Sequence, residues 1–123
     1  MTLFQRPRLL IAFATFAIAV AALTTVAART QGQVREFSVV GRDFAFSPAA
    51  IEVQRDDLVK ISFAAADIAH SFTVDEYRIA KRAGAGQTVV FEFRADRAGS
   101  FSFYCNLTQD DRCRQMRGRL VVR

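Results

Sequence analysis

Phe101-Ser102-Phe103-Tyr104-Cys105-Asn106-Leu107-Thr108-Gln109-Asp110-Asp111-Arg112-Cys113-Arg114-Gln115-Met116-Arg117-Gly118-Arg119-Leu120-Val121-Val122-Arg123 closes the chain. Its first five residues alternate, with Phe101, Phe103 and Cys105 on one side and Ser102 and Tyr104 on the other. A period of two is the mark of a half-buried strand, so Cys105 points inward at a strand end. Leu120 and Val122 alternate with Arg119 and form a second strand. The polar loop between the two strands holds Cys113 and Met116, two soft sulfur donors within reach of Cys105.

The same period runs upstream through Phe37/Val39, Phe44/Phe46, Ile51/Val53, Val59/Ile61/Phe63, His70/Phe72/Val74 and Val89/Phe91/Phe93. Turns are marked by Ser47-Pro48, Asp56-Asp57, Gly84-Ala85-Gly86 and Ala98-Gly99. About eight short strands with one wet face predict an all-β sandwich, and no helical period is visible beyond the N-terminal segment. Twelve Phe and no Trp predict a small core filled with aromatic rings. His70, the single histidine, shares a face with Phe72 and Val74, with Ser71 and Thr73 expected on the wet side.

The length of 123 residues allows one domain. Arg6 and Arg8 precede an uncharged run from Leu9 to Ala28, and Val26-Ala27-Ala28 offers small residues for cleavage. Positions 1–28 therefore read as one hydrophobic helix, either a signal peptide or a membrane anchor, since about 20 apolar residues span a bilayer. Positions 29–35 read as a polar linker and 36–123 as the domain, placed outside the cytoplasm under either reading. Removing positions 1–28 loses only Arg6 and Arg8 among the charged residues, which takes the net charge from +5 to +3. Arg112, Arg114, Arg117, Arg119 and Arg123 crowd the cysteine loop, a solvated rim or a docking face for an acidic partner. An exported address and interspersed acids exclude a nucleic-acid binder.

His70, Cys105, Cys113 and Met116 bring one imidazole, two thiols and one thioether, a set suited to copper. A rigid β-scaffold would hold them between the geometries that reduced and oxidised copper prefer. The bland alternatives stay open beside it. A lone inward histidine also serves as a core hydrogen-bonding residue, Met116 as packing, and two cysteines in an exported chain as a disulfide.

At this point the chain resembles a cupredoxin. More narrowly, it is similar to the copper-A domain of cytochrome c oxidase subunit II and nitrous oxide reductase. The resemblance rests on Asp43-Phe44-Ala45-Phe46-Ser47-Pro48 with Ile51-Glu52-Val53, on Ala69-His70-Ser71-Phe72, on Phe93 to Gly99 and on Phe103-Tyr104-Cys105. It implies a Greek-key β-sandwich with His70, Cys105, Cys113 and Met116 clustered at one end. The copper-A loop reads Cys-x3-Cys-x3-His-x2-Met. Cys105 and Met116 match its ends, but Gln109 stands at the second cysteine and Cys113 at the histidine. With no thiolate at Gln109, the dinuclear centre is not expected.

The expected function is an exported protein that binds a single copper ion for electron transfer or copper handling. The alternative is a metal-free module closed by a Cys105–Cys113 disulfide. A redox or copper-delivery protein would dock near the arginine-rich loop, and membrane contact would come only through the N-terminal segment. No enzyme is expected, because no nucleophile–base pair is visible.

Overall fold

The computed structural model describes Leu3, positions 22–27 and positions 32–123. The N-terminal helix expected over 1–28 lies, apart from Leu3 and 22–27, outside the described residues, and 22–27 are exposed and in no regular element.

Nine strands make two facing sheets. They are β1 (Val34–Arg42), β2 (Ala45–Ser47), β3 (Ala50–Val53), β4 (Leu58–Ala65), β5 (His70–Val74), β6 (Ile79–Ala83), β7 (Thr88–Arg94), β8 (Gly99–Tyr104) and β9 (Arg117–Val122). The first sheet runs β2-β1-β4-β7 and the second β3-β9-β8-β5-β6. Both are mixed: β1 lies parallel to β4 and β3 parallel to β9, while the other pairs are antiparallel. A single 3-10 turn, Asp75–Tyr77, follows β5, and a five-residue helix, α1 (Asp111–Gln115), sits in the cysteine loop.

The alternation of β4 is realised without exception: Val59, Ile61, Phe63 and Ala65 are buried, and Leu58, Lys60, Ser62 and Ala64 are half-exposed. The rings meet between the sheets. Phe46 on β2, Phe63 on β4 and Phe91 on β7 pack against Phe72 on β5 and Phe103 on β8. Phe72 and Phe103 stack at 4.6 Å between centroids. Such pairs add about 0.5–1.5 kcal/mol each beyond their buried area. A second aromatic group, Tyr77 with Phe93 and Phe101, closes the end of the sandwich away from Cys105.

Three expectations need correction. The described residues hold nine strands rather than eight, because β6 was not foreseen. Its exposed Ala80, Lys81 and Arg82 interrupt any alternation, and it is held by pairing with β5 along its whole length. A helix was not foreseen in the loop either, because one and a half turns are too short to display a period. The outer face of β5 is not wet, since Ser71 and Thr73 are buried with the rest of the strand.

Candidate metal and thiol site

The four side chains singled out in the sequence are brought to one end of the sandwich, and all four are buried. His70 opens β5, and Cys105 follows directly on β8. These strands run antiparallel with Thr73 opposite Tyr104, which sets Ser71 and its neighbour His70 against the end of β8. The Ser71 N–H donates to Cys105 Sγ at 3.3 Å. Cys113 lies in α1, and Met116 follows it with its N–H donated to the Cys113 carbonyl at 3.0 Å.

Cys105 and Cys113 form a disulfide, with 5.2 Å between their Cα atoms. No cysteine is free. In this state both sulfurs are tied to one another, and among the described residues no group of three or more His, Cys, Asp or Glu side chains is disposed to hold a metal ion.

His70 carries a different signal. Its Nε2 lies 2.7 Å from Asp67 Oδ1, and its Nδ1 is buried with no partner. A carboxylate only accepts hydrogen bonds, so the proton of the neutral ring sits on Nε2 and Nδ1 presents a lone pair. A buried acceptor without a donor is costly and rare in folded proteins. A histidine oriented by a carboxylate through its other nitrogen is the usual arrangement of a metal ligand.

Asp67 is itself held. It accepts the Asp43 N–H on Oδ2 and its neighbour Ile68 N–H on Oδ1, each at 2.8 Å. Those two bonds, the Asp43 one first, together with His70 hold its carboxyl well below the usual carboxylate range against a smaller desolvation cost. Asp43 and Phe44 form the two-residue turn between β1 and β2, where Arg42 pairs with Ala45. Both residues have positive φ, 51° and 55°. That is the geometry of a tight hairpin turn, and it is strained for a bulky residue. The turn sets the Phe44 and His70 rings perpendicular with centroids 5.9 Å apart, and the Arg112 guanidinium lies over the Phe44 ring at 4.2 Å. β1 passes so near that a Cβ on Gly41 would sit 3.1 Å from the His70 ring.

The loop is fixed by contacts other than the disulfide. Ser71 Oγ accepts the Asn106 N–H and donates to Asn106 Oδ1, both at 2.7 Å. Asp110 caps α1 by accepting the Arg112 N–H at 2.9 Å, and its carboxylate also takes the Arg112 side chain. Arg114 pairs with Asp111 and Arg123 with Glu52, so three of the five late arginines are matched by a carboxylate. Arg117 lies over the Tyr104 ring.

Sequence reasoning did not single out Asp67, Ser71, Asn106 or Phe44 as site residues. Asp67 left one trace, a carboxylate three residues before the only histidine. The Ser71–Asn106 bond joins positions 35 apart and leaves no local pattern.

The profile of the cupredoxin-like domain family matches residues 10–122, so the chain belongs to that family. Solved structures share its fold at low identity. The metal-binding domain of a Cu(I)-exporting P-type ATPase from Streptococcus pneumoniae is 16% identical, with 76% of this chain and 96% of that chain covered at a TM-score of 0.64. Auracyanin A, a blue copper protein from Chloroflexus aurantiacus, is 20% identical over 73% of this chain and 99% of that one, at 0.61. The periplasmic domain of cytochrome oxidase subunit II from Bradyrhizobium japonicum is 13% identical over 72% and 83%, at 0.63. No curated protein matches the chain in sequence.

Proposed function

We propose that this is an exported, non-catalytic cupredoxin-like protein that binds a single copper ion for electron transfer or copper handling. The ion would be held in the dithiol form by His70 Nδ1, the sulfurs of Cys105 and Cys113, and Met116. The observation that carries this reading is the buried, unpartnered His70 Nδ1, whose lone pair Asp67 fixes beside the strand end that bears Cys105. A thiolate–thioether–imidazole set favours Cu(I), which supplies a one-electron couple when bound. The chain's own part is to hold the imidazole in one tautomer, to pack the Phe44 ring against it and to donate the Ser71 N–H to Cys105.

The test is a Cu(I) titration of the thiol-reduced protein against a competing chelator. One copper per chain is expected, with loss of that binding in His70→Ala at unchanged circular dichroism. A reduced, folded protein that takes no copper would end the reading. The second reading is a metal-free accessory module, supported by the disulfide itself. It predicts native protein with no free thiol and no copper uptake after reduction.

A further inference from the structure

The two sulfurs of the disulfide have different surroundings. Cys105 is fully buried and its Sγ accepts the Ser71 N–H. Cys113 lines a cleft of about 70 Å3 together with Phe44, Ile68, Leu107 and Asp110. Cys105 Sγ faces a hydrogen-bond donor inside the protein, and Cys113 is the cysteine that borders the cleft.

We propose that the Cys105–Cys113 disulfide is a reducible gate on the copper site, opened by a dithiol reductant that attacks Cys113. This rests on the copper reading above. A thiolate of the reductant forms a bond to Cys113 Sγ as the Cys105–Cys113 bond breaks. Cys105 leaves with the electron pair as a thiolate facing the Ser71 N–H, and takes up a proton. The second thiolate of the reductant then attacks its own sulfur in the mixed disulfide. That step closes the reductant's disulfide and releases Cys113, which is protonated in turn. Two electrons have passed to the domain, and the dithiol has been oxidised.

Three features select this course. The cleft reaches Cys113, which is 3% exposed, and not Cys105, which is 0% exposed. Exchange runs faster when the departing thiolate is stabilised, and Ser71 supplies that donor at Cys105. The loop does not depend on the cross-link, because the Ser71–Asn106 pair holds the residue after Cys105 and Asp110 caps the helix that carries Cys113. Reduction therefore leaves both cysteines on the segments that carry them, at the end of the sandwich where His70 opens β5. Phe44 lines the same cleft in a backbone conformation that a bulky residue adopts at a cost, and the Arg112 guanidinium lies over its ring.

The experiment uses the full chain purified without reductant. It is treated with dithiothreitol, or with glutathione to trap the mixed disulfide, and read by thiol count, peptide mass mapping, circular dichroism and Cu(I) competition. Reduction with the fold retained, a glutathione adduct on Cys113, copper uptake by the reduced form alone and faster exchange in Phe44→Gly are the expected results. An adduct on Cys105, or reduction only on unfolding, would overturn the gate. Equal copper uptake by the oxidised form would overturn the gate and the two-thiolate ligand set, and leave copper binding itself standing. A reduced, folded protein with no copper uptake would overturn both.

Discussion

Asp67 governs what His70 offers. Its carboxylate gathers two backbone N–H groups and one imidazole N–H, and a neutral amide in its place would satisfy them less well. Because the folded-state carboxyl is held below its ordinary 3.8, its contribution is fully present above that value and declines as pH falls below it. Asp67→Asn should therefore lose about 1–2 kcal/mol near neutral pH, a figure reduced for its 31% side-chain exposure. The gap in melting temperature from wild type should be constant from neutral to mildly acidic pH and shrink below 3.8. A gap that ignores pH would mean that Asp67 acts through shape and not charge. The inward placement of His70 and Cys105 at strand ends was legible because strand parity is a local property of the chain. Asp67, Phe44 and Asn106 were not, because each acts through a partner that only the fold brings near.

Strand pairing sets the next constraint. Gly118 on β9 lies directly opposite Phe103 on β8, and the Phe103 ring fills the space where a side chain would stand. A Cβ on Gly118 would lie 2.1 Å from that ring. Phe103 in turn stacks on Phe72, so the clash would pass into the centre of the core. Gly118→Ala should cost about 1–3 kcal/mol in thermal or denaturant unfolding. Adding Phe103→Leu should cost less than the sum of the two changes, since the smaller side chain removes the clash. Strict additivity would show that the ring and the glycine are not coupled. The sequence made the strands legible wherever one face is apolar and the other wet, as in β4. It hid β6, whose pairing is with backbone, and it hid the burial of Ser71 and Thr73, because a polar residue satisfied inside looks the same in the sequence as one facing water.

Taken as a whole, the sandwich does not need the disulfide to define its shape. The bridge closes a separation of only eight residues, worth about 2–3 kcal/mol in chain entropy, while the rings of five phenylalanines join the two sheets. The charged character is likewise local: the arginines around the loop mostly face carboxylates of their own, which leaves a mixed surface at that end. Export is tested on the intact cell product. Mass spectrometry should find either a new N-terminus near Arg29 or the intact N-terminus in a membrane fraction, and full-length protein in the soluble cytosol would contradict it. The sandwich was legible because its eight alternating segments and their turns come at regular intervals. The two-sheet partition was not, because parallel pairs such as β1–β4 and β3–β9 join segments far apart in the chain.

The position of β9 has a consequence for timing. It lies between β3 and β8, so the edge strand β3 is parted from the rest of the second sheet until Arg117–Val122 have arrived. A ribosome that has delivered everything through Tyr104 has made both neighbours of β9 and nothing to join them. Closure of the finished sandwich therefore waits for β9, the last strand to leave the ribosome and the one that ties β3 to its sheet.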